Sequence, residues 1–511
     1  MGNIPKLYSA ELTGINAELV EVEADLNVGL HSFNIVGLAD KAVSEAKERV
    51  NSALKNSGIK PPTKENRKIT VNLAPADVKK SGSHFDLPIA LSYLLASEQM
   101  AGFESSGKIF AGELSLDGYL RPIGGALNIA ILARKMGFKE FFLPQENAEE
   151  AAMVRGLRIM PVKNLTELVA HLEQGCGIQP QDETDIASIL SEPSVKVSHI
   201  KGQQAAKRAL EVAAAGGHNI IFSGPPGTGK TMLAEALISI LPPPSYEEMI
   251  QMTEVWSAAG LLSKERRFIR ERQFRSPHHT SSLIAIVGGG QDPKPGEVSL
   301  AHRGVLFLDE LPEFKRDVLE ALRQPMESGR VTVSRIKKAV SFPARFMLVA
   351  AKNPCPCGYF GDPERECICT ANEVFRYQKK ISGPLLDRMD IQINVPRVKM
   401  DDLLCEGDDR EDEKMRARVG AARNVQNERF RNANLRAYTN AEMTSRDVDE
   451  FLHTDRDGEE FLKDAIEKNF ISARGYYRTL KVARTIADLE NSPTIKKSHL
   501  AEAFQYRIRE Q

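Results

Sequence analysis

The feature that most narrows the folds open to this chain is GPPGTGKT at residues 224–231. It follows a short apolar run, 219–223 (NIIFS), and leads into a helical pattern over 232–241. Strand, glycine-rich loop and helix in that order form the setting that a phosphate-binding P-loop requires. Gly224, Gly227 and Gly229, interleaved with Pro225, Pro226 and Thr228, let backbone N–H groups turn inward around phosphates. The opening helix adds its positive end. Lys230 would then reach the β- and γ-phosphates of ATP, and the Thr231 hydroxyl would hold Mg²⁺. A glycine-rich turn that matches the pattern by chance is the competing reading, and partners downstream decide between the two.

Two such partners follow. An apolar run at 304–308 (GVLFL) ends in Asp309 and Glu310. An acidic pair at the carboxyl end of a buried strand suits nucleotide hydrolysis. Asp309 would act on the Mg²⁺ shell, while Glu310 would orient and polarise the attacking water. The next apolar run, 346–351 (FMLVAA), is followed by Asn353, whose side chain would sit beside the γ-phosphate. A turn asparagine before Pro354 is the plainer alternative. Apolar strands alternating with helical patterns make this region an α/β core.

At 511 residues the chain should hold about three or four domains of ~150 residues each. A formal charge of −1 argues against a bulk electrostatic grip on nucleic acid but leaves room for local basic patches. No apolar run approaches the ~20 residues of a membrane span, and the N-terminus, MGNIPKLYSAELTGI, lacks the apolar core of a signal peptide. A cytoplasmic protein without membrane contact is expected. Four of the six cysteines fall within 355–369, and in a reducing compartment such clustering suggests metal before disulfide.

Residues 1–172 read as a second α/β domain. Strand-like runs at 17–22, 33–36, 68–73, 108–113 and 140–144 alternate with helical patterns at 41–56, 86–96 and 126–136. Residues 112–147 (GELSLDGYLRPIGGALNIAILARKMGFKEFFLPQEN) resemble the C-terminal half of the Lon protease domain. Residues 29–50 (GLHSFNIVGLADKAVSEAKERV) resemble the matching segment of the ComM/YifB family. The resemblance implies a Lon protease-like α/β fold. It also exposes a departure, because Lon-type proteolysis pairs a serine nucleophile with a lysine base. Where that family has GPSAG this chain has GSHFD, 82–86, with His84 at the serine position. Where the lysine should follow residues 123–125 it has Ala126, Leu127, Asn128 and Ile129. Ser83, one residue from the slot, reads as a turn or capping serine. Without the Ser-Lys dyad, this domain is expected to be a scaffold or a DNA-facing module.

Residues 173–199 lose apolar periodicity and read as a linker, with Cys176 a stray thiol. The core then spans 200–398. Within it, SGPLLDRMDI at 382–391 resembles the LLDRFD segment of magnesium chelatase-type AAA+ ATPases. That resemblance implies that Arg388 projects into a neighbouring subunit's site as an arginine finger, within a homo-hexameric ring. It also assigns Asn353 to the position called sensor 1. SARGYYRTLKVARTIADL at 472–489 resembles the sensor 2 helix of the same clade, with Arg474 the better match and Arg478 the runner-up. Helical patterns at 411–432, 445–452, 457–469, 473–490 and 496–509 match the small helical lid of AAA+ proteins, here 399–511. Pro396 and the acidic stretch 401–413 make a hinge between core and lid.

Two inserts interrupt the core. Residues 274–304 carry the glycine triplet 288–290 and a Pro-Lys-Pro run, which read as an exposed hairpin tip presenting Lys294. The chelatase-type clade carries such an insert pointing into the ring's pore. A second hairpin, 328–345, centres on Arg335, Ile336, Lys337 and Lys338. Basic tips of this kind would neutralise DNA phosphates without reading bases, although a solvated hairpin is the bland alternative. Cys355, Cys357, Cys367 and Cys369 form two C-x-C pairs that could supply a four-thiolate Zn²⁺ site. Free thiols and an iron–sulfur cluster are the alternatives. NPCPCG at 353–358 is closely similar to ComM-family members, which implies structural zinc.

The resemblance to the ComM/YifB family runs through the whole chain. It implies an ATP-driven, ring-forming helicase that drives branch migration of recombination intermediates during natural transformation. DNA, single-stranded and branched, would be its partner, with a recombinase or loading factor a further one. The rival readings are a magnesium chelatase ATPase subunit and a Lon-like ATP-dependent protease. The Lon-like domain and the paired C-x-C are expected to set the chain apart from the first, and the absent dyad from the second.

Overall fold

The computed structural model describes residues 5–64, 66–174, 177–184, 195–263, 265–290, 293–334, 339–398, 400, 402, 408, 410–467 and 472–507. Leu7–Thr13 turns tightly at Gly14 and pairs antiparallel with Asn16–Val28. Arg67–Ala74 adds to the far side of that strand, and Ser32–Val36 completes the sheet in parallel. Val20, Val22 and Ala24 alternate inward and meet Ile69, Val71 and Leu73, the period-2 pattern of a half-buried sheet. The helix Asp86–Ala96 covers them and is buried over nearly its whole length. A second, parallel sheet is built from Lys108–Phe110, Glu140–Pro144 and Arg158–Val162.

Several sequence expectations need correction here. The run at 108–113 is broken: Lys108–Phe110 ends, and Glu113–Leu114 pairs instead with Leu120–Arg121. The helix expected at 41–56 divides at Glu45 into Lys41–Ser44 and Ala46–Asn56. Part of the expected linker is packed: Ile178 is buried, the Gln181 amide donates to the Ile159 carbonyl and Thr184 donates to Glu149. Cys176 lies outside the described residues.

The core is a five-stranded parallel sheet in the order Phe274–Arg275, Val305–Leu308, Met347–Lys352, Ile220–Ser223, Ile391–Asn394. All four residues of Val305–Leu308 are buried, as both-face coverage of a parallel sheet demands. The helices Gln204–Gly216 and Lys230–Ile240 pack on the sheet. Tyr246–Ala259, which the sequence reading passed over, joins this core to the N-terminal half: the Gly125 amide donates to the Ser257 carbonyl, and Met249 and Ile250 pack near Ala126 and Ile129. Among the described residues, no helix is long and apolar enough to cross a membrane.

The C-terminal helices Glu411–Asn432, Ser445–Phe451, Arg456–Glu467, Ala473–Leu489 and Lys497–Gln505 form one layer against Gln204–Gly216. Polar bonds pin it there. Arg423 donates to the Ala214 carbonyl, Gln426 to that of Ala215, and Lys207 meets Glu411 at 2.7 Å. Asp412 binds deepest, accepting from the amides of Val197 at 2.7 Å and Ser198 at 3.0 Å and from the Ser239 hydroxyl. Burial would raise its carboxyl, but these donors outweigh burial and hold it below the ordinary value. The stabilisation is therefore present above the unfolded-state value of about 4 and is lost as pH falls through the lower native one. Asp412→Ala should cost about 2 kcal/mol in denaturant unfolding at pH 7. The gap to the unmutated chain should narrow below pH ~4.

Candidate nucleotide site

Ile220–Ser223 runs out of the sheet directly into the glycine-rich loop. At Gly224 a Cβ would lie 2.3 Å from the Val395 carbonyl oxygen, so no larger residue fits. Gly227 and Gly229 hold φ of +78° and +85°, and the helix starts at Lys230. Lys230 Nζ folds back over the loop, donating to the carbonyls of Gly224 at 2.8 Å and Pro225 at 2.7 Å. It also donates to Asn353 Oδ1 at 3.2 Å, which places that asparagine at the mouth of the loop. Burial holds the ammonium below its ordinary value, against the pull of Asp309.

The acidic strand delivers its two carboxylates differently. Asp309 Oδ2 accepts from the Thr231 hydroxyl at 3.0 Å, so a hydroxyl and a carboxylate oxygen already face each other as hard ligands for Mg²⁺ do. Glu310 has φ +49°, a left-handed conformation uncommon for glutamate, and its side chain is half exposed. It borders a cleft of about 410 Å³ lined also by Asn353, Glu373, Arg376, Tyr377 and Lys380. An ammonium over a loop of turned amides, beside a hydroxyl–carboxylate pair, fits a nucleotide triphosphate with its divalent cation. The sequence reading missed the cleft's far wall, because Arg376 and Tyr377 lie on Ala371–Gln378, a helix with no motif of its own.

The four clustered cysteines come together just beyond Asn353. Sγ–Sγ distances are 3.3 Å for Cys355–Cys357, 3.7 Å for Cys355–Cys367 and 3.6 Å for Cys357–Cys367. All four sulfurs, Cys369 included, lie within 4.8 Å of one another. A tetrahedron of 2.3 Å Zn–S bonds has edges of ~3.8 Å, so the donor set fits a four-thiolate metal. The Tyr359 amide is the chief influence that draws the Cys357 thiol below its ordinary value, while Cys367 and Cys369 are raised by their neighbouring thiols. This loop touches the nucleotide loop: a Cβ on Gly358 would come within 2.5 Å of Pro226 Cδ.

The arginines lie elsewhere. Asp390 takes the Asn219 carbonyl at the amino end of Ile220–Ser223, opposite to the nucleotide edge. There Arg388 is buried and paired with Glu327, and Arg478 pairs with Asp390. Burial alone would raise Asp390, but Arg478 and His218 hold its carboxyl well below the usual range. Arg474 is exposed at the start of its helix. None of the three is brought to the chain's own P-loop. Lys294 is exposed on a short ribbon, Gly288–Gly289 with Lys294–Pro295. The glycine triplet is not only a tip, since a Cβ on Gly288 would strike the Lys294 carbonyl oxygen at 2.6 Å across that pairing. The second hairpin forms from Arg330–Ser334 and Ala339–Pro343, while Arg335, Ile336, Lys337 and Lys338 lie outside the described residues.

In the N-terminal domain, His84 is buried with Nε2 2.9 Å from the Ala10 carbonyl oxygen, and burial pushes it down to about 4. Ser83 donates to Glu113, and Asn128 donates to the Ile15 carbonyl at 2.7 Å. These positions hold a neutral ring and an amide where a Ser-Lys dyad would need a nucleophile and a base.

Three family models match the chain. "Magnesium chelatase, subunit ChlI" matches residues 196–403, "Subunit ChlI of Mg-chelatase" 22–147 and "Magnesium chelatase, subunit ChlI C-terminal" 410–507. The model that matches the N-terminal domain carries the chelatase name as well. A Lon protease of Rhizobium meliloti is 27% identical over 31% of this chain and 21% of its own length. Competence protein ComM of Haemophilus influenzae is 44% identical over 98% of this chain and 97% of its own length. Protein YifB of Escherichia coli (strain K12) is 41% identical over 98% and 96%. The chain belongs to the ComM/YifB family, with a magnesium chelatase-type AAA+ core and a Lon-like N-terminal domain.

Proposed function

We propose that this protein is an ATP-driven DNA motor that assembles as a hexameric ring and moves branched recombination intermediates, as in uptake of transforming DNA. The observation that carries the reading is the convergence of Lys230, Thr231, Asp309 and Asn353 at one edge of the sheet, with Glu310 beside them. It occurs in a chain that aligns end to end with a competence protein.

The loop amides and Lys230 grip the phosphates, and Asn353 fixes the γ-phosphate end. Thr231 and Asp309 would hold Mg²⁺, which would supply positive charge against the phosphates. Glu310 accepts the proton of the attacking water as the phosphoryl group departs. Arg388 enters from the adjacent subunit, exchanging Glu327 for the developing charge on the γ-phosphate, and Arg474 or Arg478 serves as sensor 2. Hairpins carrying Lys294 and residues 335–338 line the pore and follow the DNA backbone through phosphate contacts. Cys355, Cys357, Cys367 and Cys369 would hold zinc, which would brace the loop behind Asn353.

Glu310→Gln should bind ATP with near-normal affinity but lose at least about 10²-fold in turnover. Rapid hydrolysis by that variant would discredit the base. Arg388→Ala should lose about 10³-fold and recover only in rings mixed with Glu310→Gln subunits, which supply the missing arginine. In a strand-displacement assay, forked, three-way and four-way DNA should be processed in an ATP-dependent manner and in preference to plain duplex. Equal or absent activity on all of them counts against the motor. Purified protein should carry one zinc per chain by elemental analysis, and Cys367→Ser should lower both the metal content and the affinity for ATP. A metal-free preparation with an intact fold and normal ATP binding rejects the site.

A further inference from the structure

The cleft that Glu310 and Asn353 share has a far wall to which the nucleotide motifs assign nothing. Arg376 lines it, beside Glu373, Tyr377 and Lys380. The carboxylates nearest to hand are already engaged. Glu373, one turn before Arg376, closes the cap of the helix Ala371–Gln378, accepting from the Thr370 amide at 2.8 Å and hydroxyl at 2.9 Å. Glu313 is held by Lys380 at 3.0 Å. Among the described residues, no carboxylate lies within ion-pair distance of the Arg376 guanidinium. Its planar fork of donors matches phosphate oxygens, and it stands free in a cleft that also holds the assigned base.

The helix that carries this arginine is fixed against the nucleotide edge of the sheet. Val374 and Tyr377 are buried, and the Gln378 side-chain amide donates at 3.3 Å to the carbonyl of Pro354, the residue after Asn353. Burial first, then the charges of Glu313 and Glu310, push the Tyr377 hydroxyl up, which ties the helix to the same acidic wall. Asn353 in turn accepts from Lys230, so the cleft opens directly from the end of the nucleotide loop where a γ-phosphate would lie. Three carboxylates line it: Glu310, Glu313 and Glu373. With Lys380 spent on Glu313, Arg376 is the cation left to receive an anion there.

We propose that Arg376 is a catalytic residue acting in its own subunit: it binds the γ-phosphoryl oxygens as they leave ADP and holds the orthophosphate product in this cleft. In the step it serves, the water oxygen bonds to the γ-phosphorus while the bond from that phosphorus to the β–γ bridging oxygen breaks. The electron pair of the broken bond stays on ADP, and the proton of the water passes to Glu310. In-line displacement carries the phosphorus toward the water, away from the glycine-rich loop and into the cleft. Negative charge thus moves toward three carboxylates, and a guanidinium already in place offsets the repulsion where water is scarce. This inference rests on the nucleotide-hydrolysis reading of the site, with Glu310 as the base.

The test measures ATP hydrolysis by the full chain together with its inhibition by added inorganic phosphate. Arg376 is exposed, so its replacement leaves the core intact. Arg376→Ala should lose about 10²-fold in kcat with KM changed by less than about twofold. The phosphate concentration that halves the rate should rise at least about tenfold in that variant. Arg376→Lys, a cation without the fork, should recover part of both. Mixing Arg376→Ala with Glu310→Gln subunits should restore nothing, because the missing charge belongs to the subunit that holds the intact base. An unchanged kcat, a change confined to KM, unaltered inhibition by phosphate or recovery in mixed rings overturns the proposal. If Glu310→Gln hydrolyses ATP normally, the assigned base fails, and the kcat and phosphate inhibition of Arg376→Ala still decide the role of the arginine.

Discussion

Ser223 stands opposite Lys352 and Leu308 opposite Ala350, in a sheet whose strands all run the same way. Because of that register, the residues next in sequence, Gly224, Asp309 and Asn353, leave the sheet at one edge and meet. Side-chain direction alternates along a strand, so a slip of one position would turn Asp309 from Thr231 or Asn353 from Lys230. What fixes the register is apolar packing on both faces of Val305–Leu308 and Met347–Lys352. The chemistry at this edge is thus aimed by a core that takes no part in it.

The same fact explains what could be read from the sequence. Buried parallel strands are short unbroken apolar runs, so NIIFS, GVLFL and FMLVAA stood out, each with its functional residue next in line. The C-terminal helices were legible through their periodicity. Leu7–Thr13 was not, since Ser9 and Glu11 are buried against the usual alternation, and Ser81 satisfies the Glu11 carboxylate. Arg158–Val162 carries Pro161, which argues against a strand unless its neighbours are known. Phe274–Arg275 is too short to show a period. His279, whose Nδ1 lies 3.7 Å from Glu310 Oε2, could not be read as its neighbour because only the pairing of the preceding strands brings them together.

A parallel sheet also has two unlike ends. The phosphate-facing groups occupy one, while Arg388 and Arg478 gather at the other around Asp390. A strand of four residues separates the ends by ~13 Å. Arg388 is held by Glu327 and the Pro384 carbonyl, and Arg478 by Asp390, so neither faces the chain's own nucleotide loop. A second copy, presenting its arginine end to the first copy's P-loop, meets the need without any rearrangement of the sheet. An arginine at this end could reach a P-loop only in another copy set head to tail, which is how the proposed ring would use the two unlike ends.

The cysteine loop adds a different constraint. Between 355 and 370 the buried residues are Cys355 and Gly358, whereas Ile368 is 86% exposed and Phe360 51%. Apolar burial on that scale contributes little to holding a loop of this length in one shape, which is the setting in which a metal on the proposed thiolate site would matter most. Arg397 braces the outer turn through Asp362 at 2.9 Å, and Gly358 rests on Pro226 of the nucleotide loop. The loop begins two residues after Asn353, which donates no rigidity of its own. Cysteine loop, asparagine and P-loop are therefore in contact, and under the proposed function a metal on the thiolates would steady the loop beside the γ-phosphate.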